Sequence, residues 1–232
     1  YTTLVAQTGM VRRLESLTPH TVNIYAQVAL SGSDANVDQA WQALDSAVRT
    51  DASVLFDPVS EDWLGSIFAS GESTSMFVIR DGADIENLKL RIAYYEDLEN
   101  RALWSAVPPT NAEYGVVIPL ELASRYDFEV GDVLTLDQRG WESSIPFTVE
   151  ITGIISAHDP DDAYWMQPSP LRVTESLGTT EANLFVSRAD LLSVMIQNVP
   201  QARSLIGWRI LFDHAALPVG RIEQAVTQTQ QF

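Results

Sequence analysis

Residues 114–165 read YGVVIPLELASRYDFEVGDVLTLDQRGWESSIPFTVEITGIISAHDPDDAYW, and this stretch decides the fold. Val116–Ile118 is a short apolar run of the kind that forms a strand. Pro119 suits the start of a helix, where its missing N–H would have had no partner anyway, so Leu120–Tyr126 is expected to be helical. Gly131-Asp132 then marks a tight turn into Val133, Leu134 and Leu136. Phe147, Val149, Ile151 and Ile154 carry a second strand pattern toward the acidic loop that begins at His158. The predicted order is strand, helix, turn, strand, strand.

Outward from that stretch, the N-terminal side alternates and then switches period. Val22, Ile24, Ala26, Val28 and Leu30 share one face of a predicted strand, with Asn23, Tyr25, Gln27 and Ala29 on the other. Ser31-Gly32-Ser33-Asp34 supplies a turn and a helix N-cap, after which Val37, Ala40, Trp41, Leu44 and Val48 form one apolar helical stripe. Trp63–Phe68 is expected to be a helix or turn, followed by strands near Ser73–Arg80 and Leu88–Tyr95. Ser204–Asp213 is strand-like again, and the helix after the 215–220 loop begins Ile222-Glu223-Gln224-Ala225, an echo of Val37-Asp38-Gln39-Ala40.

Paired strand, turn and helix units at the two ends give an α+β fold in which residues 1–106 and 201–232 form one subdomain. Residues 107–200 form a strand-rich insertion, bounded by Val107-Pro108-Pro109 and by Val199-Pro200. Residues 51–82 match no motif. The 232 residues, 46% of them hydrophobic, are enough to bury a core.

Charge and composition exclude several functions. A net charge of −17 with a single lysine, Lys89, argues against nucleic-acid binding, which needs clustered cations, and against anionic lipid surfaces. The absence of cysteine excludes disulfides and thiolate chemistry. His20, His158 and His214 are the only histidines, and none stands beside a nucleophile elbow, an HExxH motif or another histidine at metal-ligand spacing. Lys89 lies in a strand pattern without a Gly-rich loop, so ATP hydrolysis in this chain is set aside.

The acidic segment His158-Asp159-Pro160-Asp161-Asp162-Ala163-Tyr164-Trp165 has carboxylates that suit Ca²⁺ or glycoside chemistry, with Trp165 as a sugar platform. The simpler expectation is a solvated turn anchored on the core by Tyr164 and Trp165. Asp34-Ala35-Asn36-Val37-Asp38 imitates the start of an EF-hand but has Gln39 where glycine is required. Trp41, Trp63, Trp104, Trp141, Trp165 and Trp208 are scattered, so most are expected to be core or subdomain-contact residues and a few to be exposed at a partner surface, without the sequence sorting one from the other. No catalytic, cofactor-binding or metal-binding residue is therefore expected.

Val116, Ile118-Pro119, Leu122-Ala123, Gly131-Asp132, Leu136, Phe147-Thr148-Val149, Ile151-Thr152-Gly153-Ile154, Asp159-Pro160, Asp162 and Tyr164-Trp165 together resemble the large extracytoplasmic domain of ABC-transporter permeases of the FtsX/MacB/LolC type. The resemblance is specific over this stretch and topological elsewhere. It implies a non-enzymatic domain on the periplasmic or extracellular side of the cell membrane. It implies an ABC ATPase subunit and a second permease subunit as partners, and an extracytoplasmic partner protein or hydrophobic cargo. It also implies that the helical patterns at Leu4–Leu17 and Val219–Phe232 continue into transmembrane segments, as in an excised domain. The alternative is an extracytoplasmic ligand- or carbohydrate-binding module. A carboxylate-based hydrolase has no spacing motif behind it.

Overall fold

The computed structural model describes residues 24–34, 36–56, 64–104, 114–139, 144–165 and 169–212. The expected terminal helices, His20, His214, Trp63 and Trp141 lie outside these residues. The described chain is α+β and divides into two units.

The described residues of 114–165 follow the predicted order of strand, helix, turn, strand and strand. Strand β6 (Tyr114–Pro119) runs straight into a short helix, Leu120–Tyr126, with Pro119 as its N-cap at φ −62° and ψ 141°. Asp127 ends that helix in the left-handed conformation at φ 50°. Gly131, at φ +97°, makes the turn that an L side chain would resist, and β7 (Val133–Asp137) follows. β8 (Phe147–Ala157) then pairs antiparallel with β7 and parallel with β6. Its register slips between Val116 and Val117, where the Thr152 hydroxyl donates to the Val116 carbonyl at 3.1 Å. Beyond the slip Ile155, rather than the expected Ile154, is fully shut away from solvent.

Pairing then closes the sheet. β3 (Met76–Arg80) joins β7 to β4 (Ala83–Tyr95), and β10 (Thr179–Phe185) joins β6 to that same β4, parallel, from Thr180↔Leu88 to Phe185↔Ala93. The ring β4-β3-β7-β8-β6-β10 is a six-stranded mixed barrel. Met76, Val78, Leu88, Leu90, Ile92, Val116, Ile118, Leu134, Leu136, Val149, Ile151 and Leu184 are all buried, as expected for a barrel too narrow to hold anything but side chains. β9 (Thr174–Ser176) pairs with β10, and β5 (Ala102–Trp104) with β8.

The barrel sets the division of the chain. The second unit comprises residues 28–38 and 70–206, so the expected insertion, 107–200, lies wholly within it but is only part of it. Without β3 and β4, strands β7 and β10 would each present an unpaired edge; the ring needs these two strands from before Val107.

Among the described residues, numbered in chain order, the helices are α1 (Val37–Phe56), α2 (Leu98–Arg101), α3 (Leu120–Tyr126) and α4 (Arg188–Gln197). α4 starts where the Ser187 hydroxyl accepts the Asp190 N–H at 3.1 Å, and it buries Leu191, Leu192, Val194 and Met195. The turn after β1 (Ile24–Ser31) is fastened to the residues beyond α4: Ser33 N–H and the Ser31 hydroxyl both reach the Pro200 carbonyl, at 2.8 and 2.6 Å. Asp34 is not the N-cap of α1. Its carboxylate accepts the Ser31 N–H at 2.7 Å and closes the turn instead.

The first unit comprises residues 1–27, 39–69 and 207–232, with its described part drawn from β1, most of α1, β2 (Leu64–Glu72) and β11 (Arg203–Phe212). Its strand order is β1-β11-β2. Trp41, Ala52, Phe68, Trp208 and Ile210 are buried. Asp45 on α1 accepts from the Trp208 indole at 2.8 Å and pairs with Arg49 at 3.1 Å, while Arg49 also donates to the Ile67 carbonyl at 3.0 Å. The expected helix or turn at Trp63–Phe68 is instead the start of β2. Its side-chain pattern is too interrupted by Gly65 and Ser66 to show a period of two.

Candidate functional site

Where β8 ends, the acidic loop uses its own carboxylates. Asp159 accepts the Asp161 N–H at 3.0 Å. Asp162 accepts the Tyr164 N–H at 2.8 Å with one oxygen and Arg101 Nη1 at 2.7 Å with the other. Arg101 lies at the end of α2, where its Nε also holds Asp97 at 3.0 Å, and its guanidinium stands 5.4 Å from the centre of the Tyr164 ring. The buried Tyr164 donates its hydroxyl to the Glu96 carbonyl at 2.8 Å and meets Trp165 edge to face. The loop is thereby bolted to the Glu96–Arg101 segment.

These contacts bear on the chemistries the residue types suggested. Of the three aspartates, Asp159 and Asp162 are engaged by N–H groups and a guanidinium of the chain itself. Trp165 is 2% exposed, so it presents no face for a sugar. His158 is exposed, with no nucleophile hydrogen-bonded to it among the described residues, and its N–H goes to the Arg101 carbonyl at 3.0 Å. Among the described residues, no group of three His, Asp or Glu side chains is placed to hold a metal ion. Asp34 and Asp38, the imitation EF-hand acids, are used by the Ser31 N–H and by Arg188 at 2.8 Å.

The local electrostatics reflect the same bolt. A hydrogen bond from Asn100, opposed by partial burial and reinforced by Arg101, holds the Asp97 carboxyl below its ordinary range. Burial works against the Arg101 charge, but its hydrogen bonds to Asp97 and Asp162 outweigh that and raise its pKa further. Sequence spacing signals only the Asp97–Arg101 pair, four residues apart across a short helix. The link from Arg101 to Asp162 has no trace in the sequence.

Two concavities of the second unit flank this network. The larger, about 630 Å³, lies between the start of α3, the end of β8 and the 169–172 segment, lined by Leu120, Glu121, Ile155, Trp165, Leu171 and Arg172. The smaller, about 460 Å³, is a cleft with Tyr94, Tyr95, Trp104 and Phe185 on its apolar side and Glu96 and Glu99 among its polar residues. Three of the tryptophans, Trp41, Trp165 and Trp208, are buried as expected, whereas Trp104 is 39% exposed. The scattered placement of tryptophans in the sequence does not single it out.

No family model matches the chain, and no curated protein matches it. Among solved structures, the chain is similar to a domain assigned to a permease protein from Porphyromonas gingivalis, at 10% identity and a TM-score of 0.39, over 77% of this chain and 68% of that one. It is also similar to the periplasmic region of MacB from Actinobacillus actinomycetemcomitans, at 13% identity and a TM-score of 0.38, over 79% and 72%.

Proposed function

We propose that this chain is the extracytoplasmic domain of an ABC-transporter permease of the FtsX/MacB type. In this role it carries ATP-driven motion from the membrane to export, to lipoprotein or lipid handling, or to activation of an extracytoplasmic partner. The observation that carries the proposal is the 114–165 stretch. Its motif residues fall at the structural junctions: Pro119 at the strand-to-helix corner, Gly131 at a turn with φ +97°, and Tyr164-Trp165 buried beneath the loop. A closed barrel suits such a role, because every strand of the ring is held on both sides and a push at one strand moves the body as a unit. The net charge of −17 favours keeping such a body in water and away from an anionic bilayer. The partners in this proposal are an ABC ATPase subunit, a second permease subunit, and an extracytoplasmic protein or hydrophobic cargo. No catalytic step is assigned to the chain.

The test is made on the product of the full-length gene. Apolar spans on both sides of this segment, recovery in the membrane fraction, protease sensitivity of the domain only from the extracytoplasmic side, and co-purification of an ATPase are the expected results. A full-length product that stays in the soluble fraction without an ATPase overturns the proposal. A second proposal, an extracytoplasmic ligand-binding module, has the 630 Å³ concavity in its favour, a volume within the usual range of small-molecule sites. It predicts a melting temperature that rises with ligand concentration.

A further inference from the structure

Among the described residues, two strands of the second unit, β5 and β9, hydrogen-bond on one side only, and they treat the other edge differently. β9 is Thr174-Glu175-Ser176, polar and exposed, with Glu175 tied to Arg125 at 2.6 Å. That is an edge guarded by charge, as natural sheets ordinarily guard them. β5 is Ala102-Leu103-Trp104, without a charge in the strand, and leaves Leu103 51% and Trp104 39% exposed.

The pairing phase shows what the open edge offers. His158 N–H bonds to the Arg101 carbonyl, and Leu103 stands opposite Ser156, so Leu103 turns its main-chain groups toward β8. Ala102 and Trp104 turn theirs away; the Ala102 N–H is taken by the Leu98 carbonyl, whereas the outward N–H and C=O of Trp104 have no partner among the described residues. The Trp104 ring is positioned as well. Its indole N–H donates to the Glu99 carbonyl at 3.3 Å, and the ring lines the 460 Å³ cleft with Tyr94, Tyr95 and Phe185. Of the acids at that cleft, Asp97 is neutralised by Arg101 and Asn100, whereas the Glu99 carboxylate has no partner among the described residues.

We propose that the β5 edge and the adjoining cleft form a docking site for an extended, basic segment of a partner protein. The segment adds to the sheet through the main chain of Trp104 and lays a lysine or arginine against the Trp104 ring beside Glu99. Strand addition supplies affinity through main-chain bonds and selects side chains by pockets at alternate positions, and an aromatic face beside a carboxylate selects a cation. The −17 charge of the chain steers a basic partner toward this surface at long range. Neither feature depends on whether the chain belongs to a permease, so the two proposals stand or fall separately.

The test uses the whole 232-residue chain, isotopically labelled, titrated with an amidated peptide of alternating lysine and valine. The expected result is saturable shifts centred on the Trp104 amide, the Trp104 indole and Glu99, with slowed solvent exchange of the Trp104 amide. Glu99→Gln weakens binding about threefold, and Trp104→Ala about tenfold. Trp104→Lys, which installs the missing edge charge, abolishes it and guards against misreading an alanine variant that folds poorly. The same peptide N-methylated at every residue keeps the charge but loses all its N–H groups, and it binds at least tenfold more weakly. Shifts spread over the acidic surface without saturation, equal binding of the N-methylated peptide, or indifference to both Trp104 variants each overturn the proposal.

Discussion

Gly32→Ala should be among the most damaging small substitutions in this chain, and the structure states why. Gly32 sits in the turn after β1 with its α-carbon pressed against the last turn of α4. A β-carbon added there overlaps the Met195 carbonyl oxygen outright and falls 2.9 Å from the Ile196 nitrogen. These are main-chain atoms of a helix whose Leu191, Leu192, Val194 and Met195 are buried, so α4 cannot retreat without opening the core. The turn must lift instead. Lifting it stretches the Ser33 N–H and Ser31 hydroxyl bonds to the Pro200 carbonyl, now 2.8 and 2.6 Å, each worth about 1 kcal/mol. With the packing lost beneath the turn, the total is about 2–4 kcal/mol. In a chain of this size that lowers the melting temperature by roughly 5–12 °C. Circular dichroism melts of Gly32→Ala and Gly82→Ala make the comparison. Gly82 has nothing within 4 Å of its would-be β-carbon but a φ of +80°, so its alanine variant bears only backbone strain, about 1 kcal/mol. If Gly32→Ala melts within about 2 °C of the parent, or above Gly82→Ala, the close approach is not a constraint and the reasoning fails.

Other expectations follow from single residues. Asp97 stands at φ 66°, a conformation asparagine accepts, so Asp97→Asn removes the charge and keeps the backbone. The folded Asp97 carboxyl titrates below the ordinary 3.8, so the unfolded chain takes up its proton first as pH falls. The stability it contributes is full above the ordinary value and disappears as pH drops through the folded one; urea midpoints between about pH 5 and pH 3 should fall less steeply for Asp97→Asn than for the parent. Leu177 is fully exposed at φ 51° beside Gly178 at φ 77°, the first central position of a two-residue hairpin that favours asparagine. Leu177→Asn should therefore stabilise the chain by about 0.5–1 kcal/mol in urea unfolding, and a loss of stability would show that no strain is held there. Tyr164→Phe deletes the hydroxyl bond to Glu96 and should cost about 1 kcal/mol, with increased amide exchange across residues 158–165.

The part of the fold that sequence makes legible is the part whose causes are local. Pro119 fixes a corner because its ring fixes φ, and Gly131 fixes a turn because φ +97° excludes most side chains. The barrel has no such local cause. Its closure rests on β4 pairing parallel with β10, Leu90 opposite Ala182, and nothing in either strand names the other. The expected boundary at Val107 follows proline punctuation, whereas the ring also takes in β3 and β4, which precede it in the chain. The candidate sites show the same limit from the chemical side. Asp159, Asp161 and Asp162 look like ligands by residue type, but Asp159 and Asp162 each accept hydrogen bonds from the chain itself. Arg101, some sixty residues earlier in the chain, takes one oxygen of Asp162. Trp104 is the converse case. In the sequence it is one tryptophan among six, and it becomes a candidate contact residue only because β5 meets β8 on one side and no described strand on the other. In both places function depends on what pairing leaves unused, and pairing is a property of the whole barrel before it is a property of any motif.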